Sequence, residues 1–87
     1  MKPHRIVVLP APGCRRSRKI QNYLQQHGIP FIRIDLDSLE GQVLAAEYRM
    51  LASPGILVDE ISVNPFDLLQ KPDCRIDEDR LKRIMLD

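Results

Sequence analysis

The sequence predicts an α/β fold with elements in the order β-α-β-α-β-β-α, and three observations lead there. A continuous apolar run, Ile6 to Leu9, is broken by Pro10, Ala11, Pro12 and Gly13 and followed by apolar residues at helical spacing, Ile20, Tyr23 and Leu24. A β-branched and aromatic run, Phe31 to Leu36, comes next, so strand, helix and strand form one unit whose crossover is right-handed and whose strands are parallel. Further on, Gly55–Val58 and Ile61–Val63 are separated only by Asp59 and Glu60, and strands that close pair antiparallel.

Each element has its own signal. The uninterrupted apolar character of Ile6–Leu9 predicts a strand buried on both faces. The first helix is expected over about Cys14–His27, stopping at Gly28 before Pro30. Phe31, Ile32, Ile34 and Leu36, with Arg33 and Asp35 interleaved, predict the second strand. A second helix begins near Asp37 or Ser38, where Asp37 with Glu40 three residues on forms a capping box. Its apolar stripe is Leu39, Val43, Leu44, Tyr48 and Leu51, with Ala45 and Ala46 allowing close approach. The Asp59-Glu60 turn lacks the Asn-Gly or Asp-Gly that two-residue hairpins prefer. Phe66–Leu69 reads as a short helical turn and Lys71–Arg75 as a loop. A last helix is expected over Asp77–Leu86, with Leu81, Ile84 and Met85 facing the sheet and acids in its first turn.

Composition bounds the function. Eighty-seven residues suit a single domain, 1–87, near the lower end of what one core stabilises without staples. A net charge of +1 supplies no global attraction to nucleic acid or an anionic membrane. The charge is nevertheless uneven: residues 1 to 34 carry seven Lys or Arg and no acid, and all twelve acids follow. Cys14 and Cys74 are too few for a disulfide scaffold, and neither has a Cys or His at zinc-ligand spacing, so no metal site is expected. No apolar run approaches the ~20 residues of a membrane helix, and Pro10 and Pro12 cut short anything like a signal-peptide core. A reducing, cytoplasmic setting is the expectation. His27 reads as a last-turn residue facing solvent and favourably placed for the helix dipole, and neither it nor His4 is assigned a function.

The stretch around Cys14 carries the chemistry. The residue falls where a strand hands over to a helix, so unpaired backbone N–H groups and the positive end of the helix dipole gather at its sulfur. Arg15, Arg16, Arg18 and Lys19 crowd the same turn. Both features favour a thiolate over a thiol, and cationic neighbours are expected to lower the pKa toward the ~3.5–7.5 range of reactive cysteines. The structural alternative is a small hydrophobe in a corner, beside a solvated basic face.

With Cys14 at a helix start, Ser53-Pro54 before the third strand, and a hairpin with its closing helix, the chain resembles the thioredoxin fold in its small glutaredoxin-like form. The resemblance covers nearly the whole length and implies a four-stranded mixed sheet flanked by helices. It implies that Pro54 is cis and faces Cys14, and that Ser53 and Pro54 form the second wall of a substrate site. There the backbone before the proline can pair with an extended substrate, peptide or glutathione, as an added strand. The motif Cys14-Arg15-Arg16-Ser17 has a serine where dithiol members have a second cysteine, so it matches the monothiol, Cys-x-x-Ser variant. Ser17 then either donates a hydrogen bond to the thiolate or is only a polar residue of the first turn. Glutaredoxins that carry iron–sulfur clusters have Cys-Gly-Phe-Ser, which the two arginines depart from. The lysine before the cysteine and the Gly-Gly-Cys-Asp-like turn that bind glutathione are replaced by Pro10/Pro12 and by Asn64-Pro65-Phe66-Asp67. Asp67 is the position that keeps a match, to the group binding the glutathione amine, and Arg15, Arg16 or Arg18 are candidate carboxylate partners.

The activity implied is thiol–disulfide exchange through Cys14 with no required cofactor and with glutathione as a co-substrate; partners would be an oxidised thiol, a protein disulfide or a glutathione mixed disulfide. Cys74, in a loop far along the chain, reads as incidental rather than as a resolving thiol. The alternative class is a redox-inactive thioredoxin-fold adaptor that binds an acidic protein partner through the Arg15–Lys19 face. Nucleic acid is a weaker partner, since no aromatic residues interleave the basic patch.

Overall fold

The structure, a computed structural model, describes residues 4–50, 52–70 and 75–86. Its elements are β1 (Ile6–Leu9), α1 (Arg15–Gln26), β2 (Ile32–Arg33), α2 (Leu39–Glu47), β3 (Gly55–Val58), β4 (Ile61–Ser62), a 3₁₀ turn (Pro65–Leu68), β5 (Leu69–Gln70), β6 (Arg75–Ile76) and α3 (Glu78–Met85). The main sheet has the order β2-β1-β3-β4. β1 pairs parallel with β2 and antiparallel with β3, and β3 pairs antiparallel with β4. This is the mixed four-stranded sheet that the sequence implied.

The two faces of that sheet are unequal, and strand alternation decides which residue serves which. Ile6, Val8, Ile56 and Val58 point to one side, where they meet Ile20 and Leu24 of α1, Leu68 and Leu69 after the hairpin, and Leu81 and Met85 of α3. Val7, Leu9 and Leu57 point to the other, covered by the half-buried Leu44 and Tyr48 of α2, Ile34, Leu36 and Met50. Ile20 and Leu24 are fully buried, and truncating either to alanine costs about 2–5 kcal/mol. That anchorage holds α1, and the cysteine before it, in place against the central strand.

Several expectations need correction. The β2 ladder covers only Ile32–Arg33, although the Ile34 N–H still reaches the Val8 carbonyl (3.0 Å) and the Leu36 N–H the Pro10 carbonyl (3.0 Å). Pro10 has no N–H to return, so regular pairing stops there. α2 is capped by Ser38, whose Oγ accepts the Gly41 N–H at 3.0 Å; Asp37 is not the cap, and Glu40 is too early to complete a capping box. Leu39 and Val43 do not face the sheet: they are 84% and 58% exposed. The inward stripe is Gly41, Leu44, Ala45 and Tyr48, because Gly41 sits so tightly on the Asp35 carbonyl that a Cβ would collide with it. That contact sets the helix's rotation. Leu51 lies outside the described residues.

The hairpin turn solves its lack of glycine by placing both Asp59 (φ 52°) and Glu60 (φ 66°) in the left-handed region, as a type I′ turn demands. The Asp59 carboxylate takes the Arg5 N–H (2.9 Å) and pairs with His4; the Arg5 N–H first and His4 second hold it below the usual carboxylate range. β4 ends at Ser62, one residue short of the expected Val63. The segment read as a loop up to Arg75 is bounded by a second small sheet, in which Leu69 pairs with Ile76 and Gln70 with Arg75. Two-residue strands leave too short a pattern to see in sequence. Cys74 lies outside the described residues. α3 is capped by Asp77, whose carboxylate accepts the Arg80 N–H at 3.2 Å.

Candidate active site

The site begins with β1, which delivers the chain to Pro10 in the interior. Pro10 is buried; Ala11 to Gly13 then turn outward, with the Cys14 N–H bonded to the Ala11 carbonyl at 3.2 Å. Gly13 adopts φ 70°, a left-handed conformation that costs other residues about 1–2 kcal/mol. Cys14 follows as the N-cap of α1 in extended conformation, half-buried, with its thiol free. The helix itself starts one residue later than expected, at Arg15.

Across from Cys14 stands Ser53-Pro54. Their peptide bond is cis, matching the implication of the resemblance, and Pro54 is fully buried at the start of β3. Ser53 turns its Oγ to 3.4 Å from the cysteine sulfur, and its carbonyl oxygen lies at 4.0 Å. Cys14, Ser53 and Pro54 are therefore brought together by the pairing of β1 with β3, although 39 residues separate Cys14 from Ser53.

Ser17 belongs to the same group. It is 2% exposed, and its Oγ accepts the Ala11 N–H at 3.2 Å. That bond uses a lone pair and leaves the hydroxyl proton for the sulfur. Partial burial pushes the Cys14 thiol up, but hydrogen bonds from the Ser17 and Ser53 hydroxyls and from the backbone N–H groups of Ser17 and Arg16 outweigh it. The net result is a fall from 9.0 to about 7. Of the two expected causes, the helix N–H groups act on the sulfur and the cationic side chains do not figure; Ser17 donates as one of its two readings had it, and the Ser53 hydroxyl is added by the fold.

The arginines are placed differently from one another. Arg15 is exposed on the first turn, and Arg18 borders a cleft of about 480 Å³ that opens beside Cys14 between the Pro10–Gly13 loop and α1. Arg16 folds back instead. Its Nε donates to the Ser53 carbonyl at 3.0 Å, and its guanidinium lies 5.0 Å from the centre of the Phe66 ring. Phe66 is set there by the 3₁₀ turn, whose cap Asn64 accepts the Phe66 N–H at 3.0 Å. A cation over an exposed ring contributes about 0.5–1 kcal/mol. Asp67, one residue on, is exposed and borders a separate hollow with Phe66, Asp77 and Arg80, which Cys14 does not line.

Two features escaped the sequence reading. Phe66 as the seat of Arg16 has no signature, since the pair is joined by tertiary packing. The polar wall of the cleft does have one: Arg18, Gln21, Asn22 and Gln25 recur at i, i+3, i+4 and i+7, on the face of α1 away from its apolar stripe.

This arrangement is a thioredoxin-like fold. The chain is similar to the crystal structure of a threonine-to-alanine mutant of the thioredoxin-like protein BC3987, with a TM-score of 0.68 and 16% identity over 97% of this chain and 95% of that one. The crystal structure of thioredoxin-like protein BC3987 gives a TM-score of 0.66 at 16% identity, covering 93% of this chain and 100% of the other. Likeness at that identity establishes the fold. No protein-family model matches the chain, and comparison with curated proteins finds no relative. Among the described residues, no helix is long and apolar enough to cross a membrane.

Proposed function

We propose that this chain is a thiol–disulfide oxidoreductase of the monothiol, glutaredoxin-like kind, working in a reducing compartment. One observation carries the reading: the Cys14 sulfur is held at a helix N-terminus between two serine hydroxyls, with its pKa lowered to about 7 and a cis proline across from it. A thiol so placed is substantially ionised at neutral pH and still nucleophilic, since attack is fastest when the thiol's pKa lies near the ambient pH.

The reaction is an exchange. The Cys14 thiolate attacks one sulfur of a disulfide in line, forms the Cys14–sulfur bond, and expels the other sulfur as a thiolate. Ser17 occupies the position of a resolving cysteine and cannot attack the mixed disulfide. An external thiol, glutathione in this reading, attacks the Cys14-bound disulfide and regenerates the Cys14 thiolate, the two electrons coming from the external thiol. The hydroxyls of Ser17 and Ser53 hold the thiolate both before attack and as it leaves on resolution. Arg15 and Arg18, on the first turn of α1, are the candidate groups for a substrate's carboxylates, and Asp67, which borders a separate hollow, is the candidate for its amine.

The test is selective labelling. Iodoacetamide near pH 6 is expected to modify Cys14 well ahead of Cys74, with half-maximal Cys14 reactivity at about pH 7. Incubation with glutathione disulfide should add one glutathione, mapped to Cys14 by mass spectrometry. Equal labelling of the two cysteines with no glutathione adduct would favour the adaptor reading instead.

A further inference from the structure

The backbone acceptor that an extended substrate would use already receives a side-chain donor on one of its two lone pairs. An added strand binds through main-chain N–H and C=O groups at an open edge. In this site the carbonyl next to the sulfur is that of Ser53, 4.0 Å from it, and Arg16 Nε donates to that carbonyl at 3.0 Å. Arg16 is held there twice, because Phe66 receives its guanidinium on the ring face. Displacing it breaks a hydrogen bond and a cation–ring contact together.

We infer that Arg16 is a specificity-determining residue: by competing for the Ser53 carbonyl, it weakens main-chain pairing with extended peptide disulfides, and with glutathione in so far as it pairs the same way, relative to small disulfides that need no strand pairing. The inference rests on the exchange activity proposed above. A small disulfide needs only access to the sulfur, which is half-exposed and borders an open cleft. An extended peptide gains its affinity from main-chain bonds, one of which must here compete with a guanidinium for the same oxygen.

The experiment uses two mixed disulfides of thionitrobenzoate, one with mercaptoethanol and one with the cysteine of a short extended peptide. Cys14 attacks the carrier sulfur and expels the yellow thionitrobenzoate anion, the better leaving group. Each rate is divided by the iodoacetamide rate of the same variant, so changes in the thiolate itself cancel. In Arg16→Ala the normalised peptide rate should rise about three- to tenfold, the worth of one backbone hydrogen bond. The mercaptoethanol rate should stay within about twofold, since it makes no such bond. Phe66→Ala, which removes the seat but keeps the arginine, should move the peptide rate the same way by less, and Arg16→Lys should fall between. An unchanged peptide rate in both alanine variants overturns the inference. So does a lower mercaptoethanol rate with the peptide rate unchanged, which would make Arg16 a substrate anchor. Failure of the unmodified protein to release thionitrobenzoate from either compound overturns the exchange activity, and this inference with it.

Discussion

The first and second helices of this chain begin in opposite ways. α2 opens with Ser38, whose hydroxyl accepts the Gly41 N–H at 3.0 Å, and α3 follows the same rule with Asp77 and Arg80. α1 opens with a cysteine, and its neutral thiol makes no capping hydrogen bond. When the sulfur ionises, it takes the N–H groups of Arg16 and Ser17, the second and third residues of the helix, as a capping oxygen would. So α2 uses its orphan N–H groups for structure, and α1 reserves its own for an anion. A good cap contributes about 1 kcal/mol, and the chain forgoes it at one helix, the one beside the cis proline.

The sharpest way to break this contrast is Cys14→Ser. It should abolish the fast phase of thionitrobenzoate release and the glutathione adduct at position 14, leaving only the slow reaction of Cys74. It should also make the protein more stable near pH 6 by about 0.5–2 kcal/mol in chemical denaturation, because serine caps where the protonated thiol does not. The advantage should shrink toward pH 9. Cys14 has a folded value below its unfolded one, so its contribution to stability is fully present above about pH 9.0 and is lost as pH falls through about 7. The serine variant lacks that slope.

A smaller effect is expected from Ser17→Ala. The thiolate loses a donor and the Ala11 N–H loses its acceptor. Iodoacetamide labelling near pH 6 should slow about three- to tenfold, the labelling curve should move to higher pH, and stability should fall by about 1 kcal/mol. An unmoved curve would leave the shift to the Ser53 hydroxyl and the N–H groups of Arg16 and Ser17. The smallest functional effect belongs to the ordinary cap. Ser38→Ala should lower stability by about 1 kcal/mol and leave the labelling curve of Cys14 where it was.

The contrast also shows how far the sequence could be read. Strand β1 and helix α1 were legible because their apolar residues repeat at the period of the structure they form. Cys14 was legible as a helix-start residue because proline and glycine mark the break before it. The rotation of α2 was not: Leu39 and Val43 look like core by spacing, but the close approach of Gly41 to Asp35 turns them outward. The source of thiol activation was read in part: the helix N–H groups were legible, the Ser53 hydroxyl was not. Four cations adjacent in sequence suggest charge, while the hydroxyls that reach the sulfur include one from Ser53, 39 residues along the chain and brought beside Cys14 by the pairing of β1 with β3.

By itself the sequence determined the α/β order, the cysteine at a helix start and the proline before the third strand, because period and backbone stiffness are local properties. Only the tertiary structure decided that Ser53 faces the sulfur, that Arg16 lies across the Ser53 carbonyl, and that Phe66 holds it there. Those contacts join residues from the first helix, the loop before β3 and the 3₁₀ turn. They exist only after strand pairing has brought the three segments to one end of the sheet.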